Sequence, residues 1–392
     1  MSLPHYVVDM RSDTVSSPTI EMREAMYTAA VGDDVYGEDP TVLKLEQKSI
    51  DLFKKEAALF VPSGTMANLL AIMVHCHRRG SEAIVGDLSH TFLYEQAGAA
   101  QIAGVQLTTI QNRTDGTFCL DELQRKMHLY DDCHEPLTSL IVVENTHNMC
   151  GGKVLPLRWL DELVSICKNK EMTNGKTIAL HMDGARVFNA AQYLNESVAR
   201  IARDFDSTCF CLSKGLSAPV GSVLLGSKTF IAEARRLRKV LGGGMRQCGI
   251  LAAAGLVALE KIVPLLPEDH RRTRRIAQAI NNLRSSNFNV DLDNVHTNIL
   301  LIHMMNPKIS ASSFGKRLAE VTQKELDENI TTTDEVGQEI QGIQLKVSSR
   351  DWSYARIVLY NQITDKDIEY AIKKIEYVIQ EYDRNLVLKK IH

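Results

Sequence analysis

The chain has 392 residues, and its 45 Lys and Arg against 48 Asp and Glu give a formal net charge of −3 at pH 7. This balance gives no electrostatic reason for binding nucleic acid or a membrane surface. The length exceeds one ordinary core, so we expect two domains. The eight cysteines have scattered spacings, which predicts reduced thiols and, with no signal-peptide pattern, a cytoplasmic location. No apolar stretch is expected to reach the length of a membrane span.

Short apolar runs alternate with helical patterns through the first two thirds of the chain. Residues 83–86, 139–143, 178–181 and 222–225 are typical of buried strands. Helical patterns lie between several of them, for example over residues 158–168 and 230–240. This alternation predicts an α/β fold with a mainly parallel sheet between helices.

The pattern changes after a helix that is predicted over residues 247–263 and that should end before Pro264 and Pro267. Beyond it we predict helices over 268–284, 312–323 and 366–382, strands over 298–303, 344–347 and 356–359, and a loop over 327–342. This order is typical of a smaller α/β domain with an antiparallel sheet. The predicted organisation is an N-terminal segment (1–20), a large domain (21–265) and a small C-terminal domain (266–392).

Two motifs follow apolar runs of strand character: His-Met-Asp-Gly-Ala-Arg at residues 181–186 and Cys-Leu-Ser-Lys-Gly at 211–215. Open α/β sheets bind ligands at the carboxyl ends of their strands, which makes Asp183, Arg186 and Lys214 candidate site residues. A lysine that forms a Schiff base and an aspartate that keeps a pyridinium nitrogen protonated suit pyridoxal phosphate. A structural ion pair between Asp183 and Lys214 is the alternative.

The turn Pro-Ser-Gly-Thr at residues 62–65 opens a helical pattern. Ser63, Gly64 and Thr65 could leave backbone N–H groups open to an anion at the helix N-terminus, or the turn could be a plain helix cap. The dinucleotide and P-loop fingerprints are absent from the sequence, which favours a smaller phosphorylated ligand.

His-Cys-His at 75–77 is not predicted to bind a metal, because neighbours on a helix point in different directions. Arg-Arg-Thr-Arg-Arg at 271–275 is interpreted as a solvated helix face.

The motifs resemble, in order, those of the L-threonine aldolases, pyridoxal-phosphate enzymes of the aspartate-aminotransferase fold type. The resemblance extends from residue 9 to about 275 and thins beyond 300. It rests on these segments: Met-Arg-Ser-Asp-Thr-Val at 10–15, the acidic loop at 31–40, the turn at 62–65, Ser-His at 89–90, Glu-Asn-Thr-His-Asn at 144–148, the two strand-end motifs, and Leu-Gly-Gly-Gly-Met-Arg-Gln at 241–247.

The resemblance implies roles for individual residues at the cofactor. Lys214 would hold pyridoxal 5'-phosphate covalently, Asp183 would pair with the ring nitrogen, and His90 would stack on the ring. The turn with Ser63, Gly64 and Thr65 would bind the phosphate. These roles imply an enzyme that cleaves L-threonine or L-allo-threonine to glycine and acetaldehyde. The alternatives are another reaction on the same cofactor, such as transamination or β-elimination, and a non-catalytic family member.

The resemblance also implies how the substrate is held. Arg186 suits the substrate carboxylate because a guanidinium binds it at two points. Ser12 is expected to donate to the same carboxylate, although a simple N-cap is the alternative. Arg356 is a further candidate, but residues 356–360 read Arg-Ile-Val-Leu-Tyr where the family reads Arg-Leu-Val-Thr-His, so Arg350 competes with it. His90, His134 or a bound water would take the proton of the β-hydroxyl.

The resemblance also implies that several copies of the chain assemble, on the basis of two further segments. In the resembled family Arg246 reaches the cofactor phosphate of a neighbouring subunit, and the loop that carries Tyr36 lies by the same interface, so Tyr36 is placed among the substrate-binding residues. The smallest catalytic unit would be a two-fold dimer with shared active sites, expected to double to a homotetramer. The partners predicted are therefore a small amino-acid substrate and further copies of the chain, with no nucleic acid and no membrane.

Overall fold

The computed structural model of the protein describes residues 5–170, 175, 177–328, 332–333, 339–340, 342–349 and 353–391. The chain divides into two compact units. One consists of Ser17–Pro264, and the other of Met1–Ser16 together with Leu265–His392.

Strands and helices alternate along most of the chain. The strands are β1 Tyr6–Asp9, β2 Ala57–Val61, β3 Ser81–Gly86, β4 Gln106–Ile110, β5 Leu137–Glu144, β6 Ala179–Asp183, β7 Ser207–Cys211, β8 Ser222–Gly226, β9 Phe288–Asn289, β10 Ile299–Met304, β11 Thr332–Thr333, β12 Glu339–Ile340, β13 Ile343–Lys346 and β14 Tyr354–Val358. The helices are α1 Ile20–Tyr27, α2 Pro40–Phe53, α3 Gly64–His75, α4 His90–Leu93, α5 Gly98–Gln101, α6 Leu120–Lys126, α7 Leu157–Lys168, α8 Val187–Leu194, α9 Val198–Ile201, α10 Lys228–Val240, α11 Gly249–Val257, α12 Leu266–Asn282, α13 Ala311–Ala319, α14 Gln323–Asp327 and α15 Asp365–Ile391.

A seven-stranded sheet in the order β2-β8-β7-β6-β5-β3-β4 forms the centre of the Ser17–Pro264 unit. The strands from β7 to β4 pair in parallel, whereas β8 is antiparallel to both of its neighbours. Every residue of β3, β7 and β8 is buried, as expected for strands that helices cover on both faces. The predicted α/β fold with a mainly parallel sheet is confirmed.

The sheet register brings the ends of β5 and β6 level with each other and close to the end of β7. Glu144, at the end of β5, pairs with Asp183, at the end of β6, and Asp183 pairs with Cys209 of β7. Helix α3 packs on this sheet through residues such as Leu70 and Ala71, in a core that also contains Leu224. The carboxyl ends of the parallel strands therefore deliver their following residues to one edge of the sheet.

The second unit has its own core and two small sheets. Strands β14, β10 and β9 form an antiparallel sheet, as the sequence predicted, while β1 pairs in parallel with β13. The core contains Met10, Phe314, Leu345 and Ile357. Within the stretch 327–342, predicted as a loop, β11 and β12 form a short antiparallel pair, and residues 329–331, 334–338 and 341 lie outside the described part of the chain.

The helix predicted to end before Pro264 does not end there, so that prediction was wrong. α11 continues through a five-residue π-helical segment, Ala258–Ile262, and a 3-10 turn, Val263–Leu265, into α12. Pro264 and Pro267 fall in the irregular turn and at the start of α12, where a missing N–H donor costs little.

By length and composition alone, the helical run Gly249–Asn282 is long and apolar enough to cross a membrane, contrary to the sequence expectation. Half of its most apolar window is buried within the protein, and a buried core helix passes the same test.

Candidate active site

Asp183, the last residue of β6, is a buried carboxylate with fixed partners. Its Oδ1 accepts a hydrogen bond from the Ala185 N–H at 3.1 Å, and its Oδ2 accepts one from Asn68 Nδ2 at 2.9 Å. Burial on its own would raise the pKa of this carboxyl, but the charges of Lys214 and His90 and the bond from Asn68 outweigh burial and hold the pKa below its usual range. Asp183 is therefore ionised at neutral pH.

His90 begins α4, just beyond the end of β3, and is fixed at two points. Its backbone N–H donates to Glu144 Oε2 at 2.7 Å, and its Nδ1 bonds to Glu95 Oε1 at 2.9 Å. Burial lowers the pKa of His90, but the bond to Glu95 and the charge of Asp183 outweigh it, so the pKa is raised. Burial also raises the pKa of Glu95. One side-chain atom each of His90, Glu95 and Asp183 lies within 4.8 Å of the other two.

Lys214 lies in the turn that follows β7. The turn is closed by the Leu212 N–H donating to the Gly221 carbonyl at 3.0 Å and by the Ser217 N–H donating to the Lys214 carbonyl at 2.7 Å. The charge of Lys214 acts on both Asp183 and His90, lowering the pKa of each. The structure therefore brings together Asp183, His90 and Lys214, as the sequence predicted.

The turn with Ser63, Gly64 and Thr65 forms the start of α3. Ser63 is the N-cap, and its Oγ accepts from the Met66 N–H at 3.1 Å, which confirms the capping interpretation. Gly64 is needed for close packing, because a Cβ at this position would lie 2.7 Å from Cys211 Sγ of β7. The start of α3 therefore sits directly against the strand that leads to Lys214, and phosphate binding by these residues stays a prediction.

The Glu144 carboxylate connects the segments that follow β3 and β5. Its Oε2 accepts from the His90 N–H, and its Oε1 accepts from the Asn148 N–H at 2.8 Å. Asn148 Oδ1 in turn accepts from Arg186 Nη1 at 3.4 Å. Arg186 is only 6% exposed, so its guanidinium is held in the interior by this arrangement.

Other predicted site residues of this unit lie on the surface. The His134 side chain is 85% exposed and bonds through Nδ1 to Asp132 at 2.9 Å. Tyr36 is 76% exposed. Arg246 Nη1 donates to Asp33 Oδ2 at 2.9 Å, and its side chain is about half exposed. The structure therefore does not place these three side chains in the buried cluster around Asp183.

The loop that carries Tyr36, residues 31–40, is tied down by three aspartates. Asp33 accepts from the Val35 and Tyr36 N–H groups and from Arg246. Asp34 forms a fully buried ion pair with Arg238 at 2.5 Å. Asp39 caps α2 and accepts from the N–H of Gly249 at 2.8 Å and of Gly32 at 3.3 Å.

Ser12 and Arg356 belong to the other compact unit. Ser12 caps the turn Asp13–Val15, and its Oγ accepts from the N–H and the hydroxyl of Thr14 at 3.2 and 2.9 Å. Arg356 lies on β14 and donates to the Arg11 carbonyl at 3.4 Å. Arg350, its competitor, lies outside the described residues.

Sequence reasoning missed three residues of the cluster: Asn68, Glu95 and His181. Asn68 Nδ2 donates to Glu95 at 2.7 Å as well as to Asp183, and Asn68 Oδ1 contacts His181 Nε2 at 3.0 Å. A signal was present for His181, because residues two apart on a strand point to the same face, and His181 precedes Asp183 by two.

The donor set suits pyridoxal phosphate. A buried, ionised carboxylate faces a lysine and a histidine, and a helix N-terminus lies beside them. The buried hydroxyls of Ser89 and Thr91, on either side of His90, have no hydrogen-bond partner among the described residues. This fold and this site define the class of fold-type-I pyridoxal-phosphate enzymes.

Comparison with known proteins identifies the family. Residues 9–306 match the beta-eliminating lyase family. The chain is 42% identical over 373 residues to the probable low-specificity L-threonine aldolase 2 of Arabidopsis thaliana, covering 95% of this chain and 97% of that one. It is 47% identical over 274 residues to the low specificity L-threonine aldolase of Escherichia coli K12, covering 70% and 79%. The chain therefore belongs to the beta-eliminating lyase family, among its low-specificity L-threonine aldolases, and its cofactor is pyridoxal phosphate.

The fold is also similar to that of solved structures. A putative L-allo-threonine aldolase from Listeria monocytogenes EGD-E superposes with a TM-score of 0.74 at 19% identity, covering 96% of this chain and 97% of that chain. Serine palmitoyltransferase from Sphingomonas wittichii has a TM-score of 0.68 at 15% identity, covering 95% and 87%. At these identities the likeness concerns the fold.

Proposed function

We propose that the protein cleaves L-threonine and L-allo-threonine to glycine and acetaldehyde, with tolerance for other groups at the β-carbon. The observation that carries the proposal is the buried Asp183 carboxylate, held ionised beside His90 and Lys214 at the strand ends of a threonine-aldolase fold. The near-full-length Arabidopsis relative, named a low-specificity L-threonine aldolase, supports the same substrate.

The bound cofactor supplies an electron sink for the pair released from the Cα–Cβ bond. Lys214 provides the amine that holds the cofactor. Asp183 would hold the proton of the ring nitrogen, and its buried position would strengthen this charge-assisted bond. His90 would lie against the ring, and Glu144 and Glu95 keep its backbone and side chain in place. Ser63, Gly64 and Thr65 place the start of α3 where the helix dipole attracts a phosphate.

Arg186 is proposed to bind the substrate carboxylate. Its planar guanidinium offers two parallel donors, and the bond to Asn148 limits how it can rotate. Fixing the carboxylate orients the Cα–Cβ bond relative to the ring, which selects the bond that breaks. Ser12 and Arg356 are proposed as further ligands of that carboxylate, with Arg350 as the competitor of Arg356.

The proton of the β-hydroxyl is taken by His90, by His134 or by a water molecule that one of them holds. The raised pKa of His90 and its bond to Glu95 suit proton exchange near neutral pH. The exposed His134 is free of the core packing that fixes His90. Comparison of His90→Asn and His134→Asn, by kcat at saturating threonine, separates the two histidines.

The active unit is proposed to be a homodimer with shared active sites that pairs into a tetramer. The exposure of Tyr36 on the loop 31–40, and of Arg246, which bonds to Asp33 of that loop, supports a second subunit at this face. The cytoplasm is the proposed compartment. All eight cysteines are free, which is consistent with a reducing environment.

The test is to incubate the purified protein with the four threonine stereoisomers and to measure acetaldehyde. Release from L-threonine and L-allo-threonine, with glycine in equal amount, is expected. A keto acid or amino transfer would point to aminotransferase or β-elimination chemistry instead. If the protein shows no yellow chromophore that borohydride can trap, a non-catalytic role is favoured and the proposal fails.

A further inference from the structure

A chain of buried polar side chains leads from Asp183 into the core of the sheet. Asn68 on α3 bonds to Asp183, and its Oδ1 meets His181 Nε2 at 3.0 Å. His181 Nδ1 meets Ser207 Oγ at 2.8 Å, and the same Oγ meets His75 Nε2 at 2.8 Å. His75 stacks on Phe230 with ring centroids 4.7 Å apart, so the chain ends in an apolar environment.

The Asp183 carboxylate sets a direction for the hydrogen bonds in this chain. Asn68 Nδ2 faces a carboxylate oxygen of Asp183 and one of Glu95, so it must be the amide donor, and Oδ1 must accept. His181 Nε2 therefore carries a proton. Burial lowers the pKa of His181 to about 4 and that of His75 to about 3, so both rings are neutral. His181 Nδ1 then accepts from Ser207, and Ser207 accepts from His75.

The consequence is that the amide orientation of Asn68 cannot reverse. If Oδ1 turned toward the carboxylates, it would face two acceptors, and Nδ2 would face the N–H of His181. This uncharged chain of hydrogen bonds thus holds the Asn68 amide so that its two N–H groups donate to the Asp183 and Glu95 carboxyls. Neutral donors stabilise charge without adding a group that itself titrates near neutral pH.

The two carboxyl groups that share Asn68 have different surroundings. Asp183 is faced by Lys214, His90 and His181, with the thiol of Cys209 and the carboxyl of Glu95 nearby. Glu95 is faced by His90, Asp183 and Asn68. His90 is faced by Glu95, Asp183 and Lys214. Burial raises the pKa of Glu95, while the pKa of Asp183 is lowered. The pKa values of the two carboxyls are therefore shifted in opposite directions.

We propose that Asn68 and Glu95 are positioning residues with divided tasks: Asn68 keeps the Asp183 carboxylate ionised toward the cofactor ring, and Glu95 confines the exchangeable proton of the site to its bond with His90. The division follows from geometry, because a single amide nitrogen, Asn68 Nδ2, bonds to both carboxyls. The proposal rests on the proposed cofactor site, and its first test needs no substrate.

The first test is the affinity of Asn68→Ala for pyridoxal 5'-phosphate as a function of pH. Without the amide, Asp183 and Glu95 share a proton, so the pKa of Asp183 rises and its charge is lost toward acid pH. The dissociation constant should rise roughly tenfold or more at acid pH, the size expected for losing a bond to a charged group, and should recover toward alkaline pH. Ser49→Ala removes an equally buried hydrogen bond, from Ser49 Oγ to the Leu45 carbonyl, and is the matched control.

The second test is Glu95→Gln, which keeps the Oε1 acceptor for Asn68 and His90 but removes the negative charge. The pKa of His90, followed by the NMR signals of its ring, should fall by about one unit, and if His90 is the base the acid limb of the kcat/KM profile should move to lower pH with it. The affinity for the cofactor should stay within about twofold of wild type across the pH range, because the Asp183–Asn68 bond persists. Glu46→Gln is the control, since Glu46 is also a buried carboxyl but faces Arg235 and the Phe60 N–H.

Two results would overturn the proposal. The first is a loss of cofactor affinity in Asn68→Ala that is the same at every pH, which would show a packing role alone. The second is a pKa of His90 in Glu95→Gln that stays where Glu46→Gln has it. If Asn68→Ala does not fold, as judged by its unfolding temperature, Glu95→Gln decides the question. A wild-type protein that binds cofactor but releases no acetaldehyde contradicts the proposed function and leaves the first test intact.

Discussion

Replacing Gly64 by alanine places a methyl group against the strand that leads to Lys214. An ideal Cβ would lie 2.7 Å from Cys211 Sγ, well inside the usual contact distance of about 3.5–4.0 Å. The sulfur cannot move away easily, because Cys211 is buried and accepts a hydrogen bond from Ser222 Oγ at 3.3 Å. We expect the overpacking to cost about 1–3 kcal/mol of unfolding free energy.

The assay is thermal unfolding of the wild type and the variant, with cofactor affinity measured in parallel. A loss of 1 kcal/mol lowers the midpoint by about 2–4 °C in a unit of this size. The shifted start of α3 should also weaken cofactor binding. Cys211→Ala on the Gly64→Ala background removes the clashing sulfur, and the double-mutant cycle should show a favourable coupling of about 1–2 kcal/mol.

Two outcomes would refute this reasoning. A Gly64→Ala variant as stable as the wild type would mean that the strand and the helix can separate without cost. Additive effects of Gly64→Ala and Cys211→Ala would mean that the two residues do not oppose each other.

Further predictions concern the charged residues of the site. Lys214→Ala should lose the chromophore of the bound cofactor but unfold at the temperature of the cofactor-free wild type, and a reducible adduct at another lysine would contradict this. Asp183→Asn should weaken cofactor binding about tenfold at every pH and, with saturating cofactor, lower kcat at least about a hundredfold, because an amide cannot hold the pyridinium proton; near-normal turnover would place the nitrogen partner elsewhere. Arg186→Lys should raise KM for threonine roughly tenfold, since a point charge replaces a two-point donor; an unchanged KM would remove it from the carboxylate. Mixing inactive Lys214→Ala with Arg246→Ala subunits should restore activity above either parent if the sites are shared, and no gain after confirmed exchange would place both residues in one subunit's site.

The sequence predicted those parts of the fold where burial is complete on both sides. Every residue of β3, β7 and β8 is buried, and apolar runs occupy 83–86 of β3, 209–211 of β7 and 223–225 of β8. β4, Gln106–Ile110, escaped prediction because it lies at the edge of the sheet, where only Ile110 is buried and polar residues are tolerated. The helix end at Pro264 was wrong because proline stops a regular α-helix but is accommodated where the helix changes to irregular turns.

The site residues that the sequence predicted are those marked by their own local segment, and those that it missed depend on contacts between distant segments. Asp183 and Lys214 could be found because each closes an apolar run in its own segment. Asn68 and Glu95 could not be found, because their roles depend on hydrogen bonds between residues far apart in the sequence. Asn68 and Asp183 are 115 residues apart, and Asn68 and Glu95 are 27 residues apart. The buried state of Glu144 is likewise a result of folding, since its two acceptor bonds join separate loops.

The three aspartates that tie down the loop 31–40 have a consequence for association. Tyr36 is exposed, yet its loop is fixed at three points within residues 238–249: Asp33 bonds to Arg246, Asp34 to Arg238 and Asp39 to the Gly249 N–H. A partner that docks there meets a preorganised surface, and only the tyrosine side chain has to be immobilised, at roughly 0.5–1.5 kcal/mol. Without the Asp34–Arg238 pair, the whole loop would have to become ordered when a partner binds. A substitution buried inside one chain would then weaken its binding to another chain.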